Sequence, residues 1–133
     1  MRYLVLIIVS LFTFFILSCN DLGKKKQYGN MELYYTTGIT EEEAGRLGSI
    51  LLQANYDDGD PKTVQLSKSG DAYILKCVVK DGLDQDPHYV DVMGQMADAL
   101  STELFDGAPV AVHACDKHLK TLKVVFSQRS EVY

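Results

Sequence analysis

The chain has 133 residues, of which 13 are Lys or Arg and 18 are Asp or Glu, and its formal net charge is −5. This length is enough for one small domain and short for two. The acidic charge argues against nucleic-acid binding, because contact with phosphates requires a positive surface. The acidic excess is concentrated between residues 31 and 127, where 8 basic and 16 acidic residues give a net charge of −8.

The first 18 residues have the pattern of a secretory signal. Arg2 is followed by an uncharged apolar run over residues 4–17, and Ser18 is a small residue. A basic start, an apolar core and a small residue before the cleavage point are the three parts of a signal peptide. The run is shorter than the about 20 apolar residues that a membrane-spanning helix needs. We therefore predict a signal peptide over residues 1–18.

The end of this signal, Ile16-Leu17-Ser18-Cys19, resembles the lipobox of bacterial lipoproteins. In that family the signal peptide is removed just before the cysteine, which then carries lipid on its sulfur and its amine. The resemblance implies lipidation of Cys19 and attachment to a membrane of the bacterial cell envelope, at the periplasmic face or the outer membrane. Ordinary secretion and an uncleaved anchor are the alternatives.

The segment behind the cysteine is polar. Residues 19–30 contain glycine and show no periodicity, so we predict a lipidated Cys19 followed by a flexible tether. Lys24, Lys25 and Lys26 are either contacts for anionic lipid head groups or a solvated basic linker.

We predict a single domain over residues 31–127 with two helices. The first helix, residues 41–55, starts at Thr40, and Glu43 is placed to complete a capping box. The second starts at Asp86-Pro87, which suit a cap and a first helical position, and ends before Gly107. Alternating or aromatic runs predict strands over residues 31–37, 62–68, 72–80, 109–114 and 121–126.

The element order β-α-β-β-α-β(-β) predicts the α+β class. Its first six elements match the ferredoxin-like split βαβ arrangement, an antiparallel sheet with two helices on one face. The last strand would extend the sheet by a hairpin, and residues 128–133 would form a loose tail. In this arrangement one strand separates Cys77 from Cys115, and the two side chains lie on opposite faces. We therefore predict no disulfide between them.

Two segments carry a second resemblance. VQLSKSGDAYILKCVVKDG, residues 64–82, and LFDGAPVAVHACDKHLKTLKVVF, residues 104–126, together resemble an uncharacterised domain of bacterial exported and envelope proteins. Members of that family share a segment of the form FDGAPV…H-x-C…LKTLKV. The resemblance covers nearly all of residues 31–126 and implies one compact unit, with no activity, ligand or catalytic residue attached to it.

The chemistry-bearing residues with the closest spacing are His113, Cys115 and His118. Two imidazoles and a thiol could ligate Zn²⁺ or copper, but this spacing fits no standard zinc motif. The alternative is a surface histidine, a small half-exposed cysteine and a polar turn. The acidic stretch over residues 57–60 lacks the spacing of a calcium-binding loop. We assign no catalytic residue, no cofactor and no metal.

These observations favour a membrane-anchored bacterial lipoprotein with a non-catalytic binding or interaction module of the cell envelope. Its partners would be a membrane, through the N-terminal lipid, and an envelope protein or ligand, but no nucleic acid. The alternative is a metal-binding or thiol-dependent envelope enzyme that uses the segment from His113 to His118. The exposed edge of the sheet could accept a partner strand. The solvent side of the sheet is the other candidate binding surface, with Lys76, Lys80, His113 and Lys123.

Overall fold

The computed structural model describes residues 22–128, so the predicted signal peptide, Cys19 and residues 129–133 of the predicted tail lie outside the described residues. Within this range no helix is long and apolar enough to span a bilayer. A short 3-10 turn, Leu83–Gln85, precedes the second helix. The elements are β1 (Lys24–Tyr28), β2 (Met31–Tyr35), α1 (Glu41–Gln53), β3 (Lys62–Ser69), β4 (Ala72–Val78), α2 (Pro87–Glu103), β5 (Val110–Cys115) and β6 (Thr121–Phe126).

The six strands form one mixed sheet in which they stand in chain order, β1-β2-β3-β4-β5-β6. The β2/β3 and β4/β5 pairs are parallel, and the other three pairs are antiparallel hairpins. The predicted α+β class is confirmed. The ferredoxin-like order is not the observed one, because each helix here joins two neighbouring parallel strands. The hairpin between β1 and β2 occupies the side of β2 where a ferredoxin-like sheet would place a later strand.

Both helices pack on the same face of the sheet. In α1, a Cβ added at Gly48 would meet the ring of Tyr28, which is paired with the inward-facing Met31. In α2, a Cβ added at Gly94 would lie 3.5 Å from Cγ1 of Val125, on the same face of the sheet. The Arg46 guanidinium of α1 also donates a hydrogen bond of 3.2 Å to the carbonyl oxygen of Glu103 at the end of α2.

This arrangement gives the two helical crossovers opposite handedness. The β2-α1-β3 and β4-α2-β5 units step in the same direction along the sheet, but they start from strands that run in opposite directions. Since both helices lie on one face, one crossover is right-handed and the other is left-handed. Left-handed crossovers are rare because of the strand twist. A prediction that assumes right-handed crossovers throughout would therefore not give the observed topology.

The prediction of a flexible tether is wrong for Lys24–Tyr28, which form the edge strand β1. Gly29 and Asn30 turn the chain back into β2, and Tyr28 lies against α1. The Nζ atom of Lys26 lies 3.0 Å from a carboxylate oxygen of Glu41 in α1. A run of lysines resembles a solvated linker, but lysines are also common on edge strands because they discourage further strand pairing.

The core lies between the helices and the inward face of the sheet. The capping box of α1 is confirmed, because Thr40 Oγ1 accepts a hydrogen bond from the Glu43 N–H and the Glu43 carboxylate accepts one from the Thr40 N–H. Asp86 caps α2, and Pro87 is its first residue. Fully buried members of the core include Met31, Leu33, Ala44, Leu47, Val64, Leu66, Leu75, Ala97 and Ala114.

The contact between Gly48 and Tyr28 yields a stability prediction. Gly48→Ala adds helix propensity, but its methyl group overlaps the Tyr28 ring, so we expect the free energy of unfolding to fall by about 1 kcal/mol. The measurement is urea denaturation. The matched control is Gly45→Ala, whose methyl group would lie 3.8 Å from the Tyr28 hydroxyl and should leave stability unchanged or raise it. If Gly48→Ala still lowered the free energy of unfolding in a Tyr28→Ala background, the packing of β1 on α1 would be contradicted.

Candidate functional site

The face of the sheet opposite the helices is the main candidate surface, because within residues 22–128 no helix lies over it. Strand pairing places one residue from each strand in a single line across this face. We call these residues the central row. The central row consists of Lys25, Tyr34, Gln65, Lys76, His113 and Val124.

This uncovered face has an apolar half and a polar half. Next to the central row, Ile74, Ala111 and Phe126 are cross-strand neighbours on β4, β5 and β6. The Phe126 side chain is 64% exposed, whereas Ala111 between its two neighbours is buried. On β3 the same face carries Thr63, Gln65 and Ser67, which are polar. A large exposed aromatic side chain beside a polar area is typical of an interaction surface.

Charge is distributed unevenly between the two sides of the domain. Glu32 is the only acidic residue in the six strands of the described chain, and its carboxylate lies 3.0 Å from Nζ of Lys25. The other acidic residues of the described chain lie in the helices and the connecting segments. Lys76 adds a second positive charge to the uncovered face. This face is therefore weakly basic, although the chain as a whole is acidic.

The structure brings together two of the four residues that the sequence suggested for a binding surface. Lys76 and His113 are cross-strand neighbours in the central row. Lys80 lies beyond the end of β4, with Nζ 3.4 Å from a carboxylate oxygen of Asp60. Lys123 pairs with Ala114, which belongs to the core, and therefore projects toward the side of the helices.

His113 is held in place by a neighbouring side chain. Its Nδ1 atom lies 2.9 Å from Oγ1 of Thr121. Partial burial, and secondly the positive charge of Lys76, lower the pKa of His113. The imidazole is therefore neutral at neutral pH and is available for hydrogen bonding.

The two cysteines of the domain are buried and free. Cys115 pairs with Val78, and Cys77 pairs with Ala114, so the thiols lie on opposite faces of neighbouring strands. The expected opposite faces are observed, but β4 and β5 are adjacent and are not separated by another strand. Burial raises the pKa of the Cys77 thiol to about 12 and also raises the pKa of Cys115. Both thiols are therefore poor nucleophiles at neutral pH.

In the segment from His113 to His118, the His113 and Cys115 side chains approach Thr121, but His118 does not. Cys115 Sγ lies 3.9 Å from Oγ1 of Thr121, whereas His118 is exposed in the turn between β5 and β6. The Asp116 carboxylate accepts hydrogen bonds from the N–H groups of His118 and Lys120 and so shapes this turn. Among the described residues no group of three or more His, Cys, Asp or Glu side chains is placed to hold a metal ion.

Sequence reasoning missed several contributors to the uncovered face, among them Tyr34, Gln65 and Phe126. Tyr34 and Gln65 alternate with buried residues along β2 and β3, and this alternation is visible in the sequence, whereas β6 has no buried residue. Their position beside Lys76 and His113 depends on strand order and register, which alternation alone does not determine.

The fold is that of a small α+β domain whose sheet is covered on one side. A family model described as the AF_1994_N family N-terminal domain matches residues 25–127. The chain belongs to this family. The match begins within β1, so it includes most of the first strand. No curated protein and no solved structure matches the chain.

The environment of His113 predicts a pH dependence of stability. Folding lowers the pKa of His113. As the pH falls below about 6.5, this imidazole is therefore protonated in the unfolded chain before it is protonated in the folded one. The contribution of neutral His113 to the free energy of unfolding is therefore fully present above that pH and is lost as the pH falls further. We expect His113→Gln to reduce the loss of stability between pH 7.5 and pH 5.5, roughly the window set by the free imidazole, in urea denaturation.

The matched control is His88→Gln, which makes the same substitution at the exposed start of α2 and separates the effect of His113 from that of losing any one histidine. An unchanged pH dependence in His113→Gln would contradict the assigned environment of His113.

Proposed function

We propose that this protein is a bacterial lipoprotein, held at a membrane of the cell envelope by lipid on Cys19, whose domain acts as a non-catalytic binding module. The observation that carries the proposal is a contact between Leu22, which follows Cys19 by three residues, and the uncovered face. The carbonyl oxygen of Leu22 accepts a hydrogen bond of 3.0 Å from the side-chain amide of Gln65, a member of the central row.

The short distance in sequence between Cys19 and Leu22 supports a lipid close to the domain. Three residues of chain lead from Cys19 to Leu22, and three residues span at most about 11 Å. Since β1 begins at Lys24, the tether is far shorter than the eleven residues that the sequence suggested. An anchor on Cys19 would hold the uncovered face near the membrane surface. More than one acyl chain makes such attachment stable, which agrees with lipid on both the sulfur and the amine.

The uncovered face supports a binding role. It combines an exposed aromatic ring at Phe126 with the basic Lys76 and the neutral His113. The sheet also has two edges, β1 and β6, that pair on one side only within the described chain. An envelope protein could add a strand at either edge, although the lysines of β1 disfavour that edge.

The same residues weigh against the alternative of a thiol- or metal-dependent enzyme. Cys115 is buried, and its pKa is raised rather than lowered. A reactive thiol requires the opposite environment, which is partly exposed and electropositive. A non-catalytic module therefore fits the geometry of His113 and Cys115 better than an enzyme does.

Lipidation is tested by growth with radiolabelled palmitate. We expect the parent protein to take up label and to fractionate with membranes, and Cys19→Ser to lose both properties because the acceptor thiol is gone. Cys115→Ser is the matched control and should remain labelled, since this thiol is buried in the fold. A Cys19→Ser variant that is labelled and fractionated like the parent would contradict the proposal.

A further inference from the structure

We propose that the uncovered face lies on the bilayer itself and that anionic phospholipid head groups are its ligand. This inference rests on the proposed lipid anchor and names the partner of the same surface. Three independent features of the described chain favour it: the exit point of the N-terminal segment, the distribution of charge, and the position of exposed apolar side chains.

The exit point determines which side of the domain can approach the membrane. Leu22 is held to the uncovered face by Gln65, and Tyr34 and Lys76 are the cross-strand neighbours of Gln65. A lipid three residues earlier keeps this face within about 11 Å of its attachment point. The helices lie on the opposite side of the sheet, about 10 Å farther from the membrane at typical packing distances.

The charge distribution favours the same orientation over an anionic surface. The acidic residues of α1 and α2 lie on the side of the helices, among them Glu41, Glu42 and Asp91. The uncovered face has Lys25 and Lys76 against the single carboxylate of Glu32. A negatively charged bilayer attracts the basic side and repels the acidic one. Because Glu32 offsets Lys25, the net attraction of the uncovered face is that of one lysine, about 1 kcal/mol.

The exposed apolar side chains complete a surface suited to the membrane interface. Leu22 is 40% exposed beside the anchor, and Phe126 is 64% exposed on β6. Val124 lies beside Phe126 on β6, and Ile74 lies on the same face two strands away, across Ala111. Aromatic and aliphatic side chains flanked by lysines bind at the boundary between head groups and acyl chains. There the apolar side chains contact the acyl chains and the lysines contact the anionic head groups.

The sequence contains no tryptophan, so a single introduced tryptophan reports its own surroundings. The experiment uses the full-length lipidated protein with Phe126→Trp in vesicles that contain anionic phospholipids brominated near the head group. The matched control is Leu52→Trp, at a residue of α1 that is 41% exposed on the side of the helices. We expect quenching by bromine to be about tenfold stronger for Phe126→Trp than for Leu52→Trp, because only the former contacts lipid.

A second pair of variants tests the charge. In the Phe126→Trp background, Lys76→Glu should reduce quenching at least about twofold, because it reverses a charge at the centre of the face. Lys117→Glu changes the same charge in the exposed turn between β5 and β6 and should leave quenching unchanged.

The outcomes separate this inference from the proposed function. Protein that sediments with vesicles but shows equal or no quenching at the two tryptophans overturns the membrane-facing orientation and leaves the anchor intact. Protein that does not sediment with vesicles overturns the anchor, and the inference with it. A concentration-dependent blue shift of Phe126→Trp without quenching would assign the face to a second copy of the chain and overturn the inference. Burial of Phe126→Trp only when an envelope protein is added would do the same.

Discussion

The alternation of buried and exposed residues along the strands, with both helices packed over the buried side, is the constraint on which the rest of this molecule depends. Met31, Leu33, Val64, Leu66 and Leu75 are all directed at α1 and α2 and are fully buried. A shift of any strand by one residue would exchange its two faces and expose this core. The same alternation leaves the central row on the other side without a covering element in the described chain.

The uncovered face and the start of the domain are structurally linked. Gln65 belongs to the central row and also binds the Leu22 carbonyl, so the N-terminal segment and the candidate binding surface are on the same side. The packing of Tyr28 on Gly48 fixes β1 against the helices and so holds the first described residues at the sheet. A lipid near this point would therefore restrict the orientation of the whole domain, in addition to localising it.

Local signals in the sequence were sufficient to predict both helices with their caps and the last five strands, because caps, turns and alternation depend on neighbouring residues. The missed strand, β1, is hidden by three lysines, and its pairing is decided by β2 and α1. Strand order could not be predicted because one crossover has the rarer hand, which only the complete packing determines. Alternation placed Lys76 and His113 on the same face correctly, but the expected strand order kept their strands apart. The face of Lys123 depends on its register beside the irregularity at Ala114 and Cys115.

The central claim is that one side of the sheet packs on the helices while the other faces a membrane. Nuclear magnetic resonance of the full-length lipidated protein, on nanodiscs with a paramagnetic label on the lipid head groups, tests it most directly. The account predicts the strongest line broadening at the backbone amides of Gln65, Lys76 and His113, with little at α1 and α2. Broadening that is strongest in the helices, or equal on both sides of the sheet, would contradict it.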